Sequence, residues 1–275
     1  MSIEFENVSD LDLRETLECG QCFRWKQQPD GSFFGVVRGR TACVRSVGDR
    51  LIIDGAQEAD RAMWFDYFDL GLDYSMVRRE LSALHPTLAQ AARYAPGIRI
   101  LNQEPFEALI SFIISQNNNI KRISGIVGRL CEHFGEPIGE PGTRPAFSFP
   151  TAARLAALSP DELAPIRAGF RHRYIIDAAR KAADGSVDLE GLRALPYDEA
   201  RAELMTICGV GVKVADCVLL YGLHRSEGFP LDVWMKRAMA ALFPDLEPSD
   251  FGQYAGIAQQ YIFHYARMHP ELFAE

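Results

Sequence analysis

The stretch Leu204–Arg237 has the sequence LMTICGVGVKVADCVLLYGLHRSEGFPLDVWMKR. Its pattern predicts a helix, a tight Gly209-Val210-Gly211 turn, a second helix, a loop and a third helix that opens at Asp232. Each glycine can adopt the positive φ that such a tight turn requires, and the free amides at the start of the next helix can bind a phosphate. An ordinary corner between two helices has the same pattern, so Gly209 and Gly211 alone leave both interpretations open.

Lys213 and Asp232 are the candidate catalytic residues of this stretch. Lys213 lies in the first turn of the second predicted helix, where the helix dipole disfavours a positive charge and an amine is a candidate nucleophile. Cys217 follows four residues later and shares that helix face. Asp232 can cap the third helix and also face Lys213, where a carboxylate can assist proton transfer. Each residue taken alone has a structural alternative: a solvated lysine, a core cysteine and a simple helix cap.

The composition is that of a globular chain with an acidic balance. The chain has 275 residues, a hydrophobic content of 48% and a net charge of −8, which suggests two domains and counts against a broad nucleic-acid-binding surface. The segment 167–181 is locally basic, so a small DNA-binding face is still compatible with the charge. The acidic start lacks a signal peptide, and no apolar run is long enough to span a bilayer. We therefore expect an intracellular monomer without a membrane partner, in the cytoplasm or nucleoid if the source is bacterial.

The chain divides into a strand-rich beginning and a helical remainder. From Gly20 onward, aromatic and β-branched runs broken by turn pairs predict an antiparallel sheet of hairpins. Helical periodicity follows, without the alternation of strands and helices that a Rossmann fold or barrel requires. We predict an α+β fold in which an N-terminal antiparallel β-sheet domain with flanking helices (1–98) packs on an all-helical domain (99–275). The helix-hairpin-helix lies at about 198–223, and Glu136–Pro150 is predicted as a long surface connection.

The six cysteines show no pattern of a metal site or a disulfide scaffold. They are scattered along a chain that is not small, which argues against a disulfide framework. Cys19 and Cys22 form a lone CxxC, and no second pair supplies the remaining ligands of a zinc site. A four-cysteine run of the iron–sulfur type is also missing from the sequence. We therefore expect no metal bound by these cysteines.

Four further motifs occur along the chain: CGQCFRW at 19–25, SQNNNIKRI at 115–123, GFRHRYI at 169–175 and AGIAQQYIF at 255–263. Together with GVGVKVADC and PLDVWM in the first stretch, they resemble the 8-oxoguanine DNA glycosylase/AP lyases of the helix-hairpin-helix–Gly/Pro…Asp superfamily. The motifs keep the order of that family and cover nearly the whole chain, which makes the resemblance specific. It implies a bifunctional base-excision repair enzyme whose partner is double-stranded DNA that contains 8-oxoguanine.

The resemblance assigns four residues to a pocket for a flipped base. The Gly20 carbonyl would accept the N7–H of 8-oxoguanine, a hydrogen that guanine lacks. Cys217 and Phe263 would stack on the two faces of the base, and Gln259 would bind its Watson–Crick edge. Gln259 and Phe263 are four residues apart, so they share one helix face. Phe263 taken alone could equally be a core residue.

Other residues resemble those that hold the opposite strand. Asn117, Arg122 and Arg171 would fill the gap and bind the unpaired cytosine, because amides and guanidinium groups match its edge. Phe170 would wedge into the base stack beside them. For the two arginines, phosphate contact or plain solvation are the alternatives. Trp234 departs from the family, since many animal members have a histidine there that touches a lesion phosphate, and only its indole N–H could replace that contact.

The implied chemistry is base excision followed by strand cleavage. Lys213 would attack C1′ of the flipped nucleoside, form a Schiff base and nick the strand by β-elimination, with Asp232 supporting both steps. No metal or organic cofactor is required, and the resemblance allows a monovalent or divalent cation at the hairpin carbonyls. Two other functions stay open: a monofunctional alkylbase glycosylase of the same fold, which lacks a catalytic lysine, and a non-enzymatic DNA-binding module.

Overall fold

The computed structural model describes residues 1–139 and 145–273 and has the predicted α+β architecture. A five-stranded antiparallel sheet comes first, with the strand order β1-β5-β4-β3-β2. Its strands are β1 Ser2–Phe5, β2 Lys26–Gln27, β3 Phe33–Val37, β4 Arg40–Val47 and β5 Arg50–Asp54. Two helices pack with this sheet, α1 Leu13–Glu18 and α2 Arg61–Tyr67.

The rest of the described chain is mainly helical. The helices are α3 Tyr74–Leu84, α4 Pro86–Tyr94, α5 Pro105–Ser115, α6 Ile120–Phe134, α7 Ala152–Ala156, α8 His172–Ala183, α9 Tyr197–Leu204, α10 Val212–Tyr221, α11 Val233–Leu242 and α12 Ala255–Met268. None of these described helices is long and apolar enough to cross a membrane.

The sheet buries one continuous row of apolar side chains. The strand register places Phe33 opposite Val44, Val44 opposite Ile53, and Ile53 opposite Ile3. All four side chains are at most 2% exposed, as expected where alternate residues of each strand face a core. Trp64 of α2 is fully buried in the same cluster, so the sheet and α2 form a core of their own.

The start of the chain differs from the predicted sheet in two places. Ser2–Phe5 is an edge strand, and an alternation over so few residues is too short to be recognised in the sequence. The segment from Gln21 to Trp25 was expected to be a strand and is instead an irregular connection. Its buried Gln21 side chain donates to the Thr16 and Arg99 carbonyls at 2.9 and 2.7 Å, and these bonds fold the segment inward.

A second, larger core joins the helices. It contains Tyr74 of α3 and Leu88 of α4, so these helices pack with the helical part although they precede residue 98. The division at residues 98 and 99 therefore stays a prediction. Cys19 and Phe23 also belong to this helical core, which holds the intervening Gly20 against the helices.

The predicted surface connection Glu136–Pro150 contains a small sheet. β6 Pro137–Ile138 pairs antiparallel with β7 Ala146–Phe147. Residues 140–144 of the connection lie outside the described residues. The preceding helix α6 ends at Phe134, and Gly135 is its C-cap residue.

Candidate active site

The helix-hairpin-helix is formed by α9 and α10, and its connection is longer than expected. It extends from Met205 to Gly211 rather than over a single residue between two glycines. Only Gly209 has a positive φ, of +78°, whereas Gly211 is extended with φ −102° and ψ −178°. The expectation that both glycines supply a positive φ is therefore wrong for Gly211, which instead begins α10 as its N-cap residue.

Helix α8 and the end of α5 fix this connection. The ring of Tyr174 lies so close to Gly209 that a Cβ there would come within 2.4 Å of it. Asp177 accepts a hydrogen bond from the Cys208 N–H at 2.7 Å, and Gln116 donates to the Gly209 carbonyl at 3.1 Å. The amides at the start of α10 are thus presented by a turn that is held from two sides, as a phosphate-binding turn requires.

Lys213 lies on the face of α10 that also carries Cys217 and Tyr221. Its ammonium nitrogen is 5.2 Å from the centre of the Phe112 ring, within cation–π range. Phe112 in turn stacks on Tyr221, with ring centroids 5.2 Å apart and an interplanar angle of 17°. Burial raises the pKa of the Cys217 thiol to about 11, although the neighbouring Lys213 opposes this shift. Cys217 is therefore a neutral, apolar surface beside the amine at physiological pH.

Asp232 combines the two roles expected from the sequence position. It is the N-cap of α11, where its side chain accepts from the Met235 N–H at 2.7 Å. It also lines the same cavity as Lys213. The cap fixes the carboxylate, so its position beside the cavity does not depend on a flexible side chain.

This cavity has a volume of about 810 Å³ and collects most residues predicted for catalysis and DNA binding. Predicted residues along its wall are Asn117, Arg122, Gly211, Lys213, Asp232 and Trp234. Lys236 also lines it, a residue that had not been singled out in the sequence. The residues predicted for the base pocket and those of the wedge do not line this cavity, so the site has a second part.

The predicted base pocket lies where α10, α12 and the Gly20 segment meet; this segment is the irregular stretch 19–25. A Cβ at Gly20 would lie 3.8 Å from the Phe263 ring and 3.0 Å from the Ile120 side chain. Gln259 is buried, donates to the Pro230 carbonyl at 3.3 Å and lies 3.4 Å from the Tyr221 hydroxyl. Gly20 and Phe263 are thus direct neighbours, and Tyr221 joins Gln259 to the helix that carries Lys213.

The three consecutive asparagines between α5 and α6 have different surroundings. Asn117 is exposed and has a positive φ of +51°. Asn118 donates to the Ile114 carbonyl at 2.8 Å, and Asn119 caps α6 by accepting from the Arg122 N–H at 2.9 Å. The side chains of Asn118 and Asn119 are thus used within the protein, and Arg122 is exposed in the first turn of α6.

Arg171 and Phe170 differ sharply in exposure. Arg171 is 4% exposed and donates to the main-chain carbonyls of Gln116, Asn117 and Ala168. Phe170 is 51% exposed and packs edge-on against Tyr174. Half of the Phe170 ring is thus open to solvent, whereas most hydrogen-bond donors of Arg171 are already used inside the protein.

Several residues that contact the candidate site residues were not predicted from the sequence, namely Phe112, Tyr174, Tyr221 and Gln260. Three of them are aromatic residues in helices, a pattern that is equally typical of core packing. Gln260 directly follows the predicted Gln259, and a polar residue on a mainly apolar helix was the only available signal. Among the described residues, no group of three or more His, Cys, Asp or Glu side chains could hold a metal ion.

Family models match both parts of the chain. The family model of the 8-oxoguanine DNA glycosylase N-terminal domain matches residues 4–109, and that of the HhH-GPD superfamily base excision DNA repair proteins matches residues 110–250. The N-glycosylase/DNA lyase of Saccharomyces cerevisiae is 34% identical over 84% of this chain and 68% of its own length.

Two solved structures resemble the chain over nearly its full length. The structure of MBOgg1 in complex with a low-affinity DNA ligand has a TM-score of 0.94 and 42% identity, covering 98% of this chain and 96% of its own. The Clostridium acetobutylicum 8-oxoguanine glycosylase/lyase, in complex with duplex DNA containing cytosine opposite 8-oxoguanine, has a TM-score of 0.91 and 35% identity, with the same coverage. The chain therefore belongs to the 8-oxoguanine DNA glycosylase/lyases of the HhH-GPD superfamily of base excision repair proteins.

Proposed function

We propose that this enzyme excises 8-oxoguanine from duplex DNA, preferentially opposite cytosine, and then nicks the strand at the abasic site. The observation that carries this proposal is the cavity in which Lys213 and Asp232 lie with Asn117 and Arg122. A nucleophile and a carboxylate are thus placed beside groups suited to an orphaned cytosine. A base must leave the duplex to reach such a site, and base flipping provides that route.

The chemistry begins with the side-chain amine of Lys213. The amine forms a bond to C1′ while the bond from C1′ to the base breaks, and the departing base keeps the electron pair and takes up a proton. Opening of the sugar ring at O4′ then gives a Schiff base. Loss of a proton from C2′ and departure of the 3′ phosphate cleave the strand. The Asp232 carboxylate stabilises the positive charge that develops on the sugar.

Recognition of the base depends on the Gly20 carbonyl. 8-Oxoguanine presents N7–H, which can donate to that carbonyl, whereas guanine presents a lone pair and would leave two acceptors face to face. Such a mismatch costs about 1–3 kcal/mol, which is a partial discrimination. Cys217 and Phe263 provide the two stacking surfaces, and Gln259 provides an amide for the Watson–Crick edge.

The hairpin and Trp234 contact the backbone of the lesion strand in this proposal. The start of α10 at Gly211 binds a phosphate through its free amides. Trp234 lines the same cavity and cannot play the role of the histidine of animal relatives, although its indole N–H can donate. The chemistry needs no metal or organic cofactor. A cation at the hairpin would share carbonyls that already accept hydrogen bonds, such as that of Gly209 from Gln116. A carbonyl has two lone pairs, so sharing is feasible.

Borohydride trapping tests the lyase. Sodium borohydride reduces a Schiff base to a stable amine, so the wild-type protein should become cross-linked to an 8-oxoguanine duplex. We expect Lys213→Gln to lose cross-linking and nicking while it still binds the duplex in a gel-shift assay. Absence of any adduct with the wild-type protein would reject the Schiff base and favour a monofunctional glycosylase. Duplex binding that depends on salt but not on the lesion would favour a plain DNA-binding module.

The preference for the base opposite 8-oxoguanine tests the roles of Asn117 and Arg122. Excision rates are measured on 8-oxoguanine paired with each of the four bases under single-turnover conditions. We expect the fastest excision opposite cytosine, because Asn117 and Arg122 offer an amide and a guanidinium group to its edge. Equal rates opposite all four bases would show that this assignment is wrong.

A further inference from the structure

The segment that carries Gly20 lies along one face of α12. Gln260 donates from its side-chain amide to the Cys19 carbonyl at 3.3 Å. Phe263, three residues further along the same face, lies beside Gly20. The peptide group between Cys19 and Gly20 is thus bound to α12 directly before the carbonyl that our proposed function assigns to base recognition.

Gln260 has a single orientation that satisfies its neighbours. The Cys19 carbonyl can only accept, so Gln260 has to present its amide nitrogen to it. The amide oxygen then faces Tyr221, whose hydroxyl donates to it at 2.6 Å. Both side chains are almost fully buried. A hydroxyl has one proton, so Gln260 receives it in preference to Gln259, whose oxygen is 3.4 Å away and stays able to accept from a base.

The carbonyl of the next residue, Gln21, is held in a similar way. Gln103 donates from its side-chain amide to the Gln21 carbonyl at 2.8 Å and from its main-chain N–H to the Tyr221 carbonyl at 3.0 Å. Tyr221 is therefore connected, through two glutamines, to the carbonyls on both sides of Gly20. Within residues 1–139 and 145–273, no group donates to the Gly20 carbonyl itself.

The conformation of Gly20 explains why the hydrogen bonds to the Cys19 and Gln21 carbonyls are important. Gly20 has a φ of +100°, a value that residues with a side chain disfavour. Glycine adopts positive and negative φ values about equally readily, so it is not held at this value by sterics. Its own residue type therefore does not determine where its carbonyl points. The Cys19 and Gln21 carbonyls, one residue before Gly20 and one residue after it, are both tied to Tyr221, and holding them in place limits that direction.

We propose that Tyr221 and Gln260 are positioning residues for lesion recognition, which with Gln103 direct the Gly20 carbonyl into the base pocket. The inference rests on the proposed function, in which that carbonyl accepts N7–H of 8-oxoguanine. It also links recognition to α10, because Tyr221 lies on the same helix as Lys213. Neither Tyr221 nor Gln260 lines the cavity that holds Lys213 and Asp232. Their substitution therefore affects the choice of base and spares the cleavage step.

Two activities of the same protein distinguish positioning from general damage to the fold. Excision of 8-oxoguanine needs the base pocket, whereas nicking at a preformed abasic site needs Lys213 but no base. Gln260→Met keeps the side-chain length and removes both polar groups. We expect it to slow single-turnover excision opposite cytosine by roughly tenfold, the effect of losing the hydrogen bond to the Cys19 carbonyl. Its nicking of abasic duplex stays within about twofold of the wild type.

Two further variants provide a second test of positioning and a matched control. Tyr221→Phe removes the hydroxyl and keeps the ring with its stack on Phe112, so we expect a smaller loss of excision than in Gln260→Met. Tyr261→Phe is the matched control, because it removes a buried hydroxyl from the next position of α12. That hydroxyl lies beside Arg78 rather than the Gly20 segment, and we expect both activities to be retained.

Binding in a Lys213→Gln background measures recognition without chemistry. We expect Gln260→Met to weaken binding of the 8-oxoguanine duplex and to leave binding of the matching guanine duplex unchanged. The ratio of the two affinities, which is the preference for the lesion, should therefore decrease. Parallel losses of excision and abasic nicking, or an unchanged preference, would overturn the positioning role. A wild-type protein that nicks abasic DNA but does not excise 8-oxoguanine would instead overturn the proposed function.

Discussion

Arg171 and Arg122 are neighbouring arginines with different surroundings. Arg171 is buried, and burial together with the nearby Arg122 lowers the pKa of its guanidinium group. It donates to the carbonyls that precede and include Asn117, whereas Arg122 is exposed on the cavity wall. Arg171 thus supports the Asn117 loop, and the proposed function relies on the exposed Arg122 as the guanidinium group for an opposite cytosine.

Alanine substitutions separate these two contributions. Arg171→Ala leaves buried carbonyls without donors, so we expect the free energy of unfolding in urea to fall by about 1–3 kcal/mol. Arg122→Ala removes an exposed side chain, and we expect a change below about 0.5 kcal/mol together with a reduced preference for cytosine. An Arg171→Ala protein as stable as the wild type would contradict the supporting role.

The hairpin between α9 and α10 contains two glycines that serve different purposes. Gly209 has a positive φ and packs against Tyr174, whereas Gly211 is extended and has no atom near the position of a Cβ. We expect Gly209→Ala to destabilise the protein by about 1–3 kcal/mol, through both the backbone conformation and the clash with the ring. Thermal unfolding monitored by circular dichroism measures this loss.

Gly211→Ala is the matched comparison at this turn. Its backbone suits alanine, so we expect thermal stability to be retained. A methyl group there would meet an approaching phosphate, and we expect weaker binding of both damaged and undamaged duplex. Wild-type affinity in Gly211→Ala would show that no phosphate approaches the turn at this point.

At the level of elements, sequence patterns predicted the helices better than the strands. Lys213 in the first turn of α10 and Asp232 before α11 were correctly located, because glycine and capping residues mark helix ends locally. Gln21–Trp25 was wrongly predicted as a strand, since its apolar residues divide between two cores that only the tertiary fold supplies: Phe23 packs in the helical core, and Cys22 and Trp25 pack with the sheet. Local propensity does not carry that information.

At the level of the whole molecule, a buried ion pair joins the Gly20 segment to α5. Arg24 lies 3.1 Å from Glu107, and both side chains are largely buried. Burial raises the pKa of the Glu107 carboxyl, and Arg24 opposes the rise. A carboxyl whose pKa is higher in the folded than in the unfolded protein favours folding at low pH, and this contribution is lost as the pH rises through the folded value.

Arg24→Met removes the opposing charge, so the pKa of Glu107 in the folded protein rises further. We expect a loss in the free energy of unfolding of about 3 kcal/mol near pH 8, where the carboxylate is buried without a partner, and a smaller loss near pH 5. Urea denaturation at the two pH values measures the difference. Adding Glu107→Gln removes the titrating group, so the double variant should lose the additional pH dependence. If Arg24→Met lowered the free energy of unfolding equally at both pH values, this account would be contradicted.

The site shows what the sequence could and could not predict. Lys213 and Asp232 were predicted as catalytic residues from their residue types and helix positions, and both line one cavity. The surroundings of Arg171 and the contacts of Tyr221 and Gln260 depend on side-chain orientations set by long-range packing. The hydrogen bond from Gln260 to Cys19, for example, joins residues 241 positions apart.

That separation also has a consequence for the order of folding. Closing a long loop costs more chain entropy than closing a short one, so local structure such as the α9–α10 hairpin can form first. The surroundings of Gly20 are completed only when α12 docks on a segment from the opposite end of the described chain. Pulsed hydrogen exchange during refolding would show this as late protection of the α12 amides. Under the proposed function, a molecule arrested before that step would have Lys213 in its hairpin but no completed pocket with which to distinguish an oxidised base from an intact one.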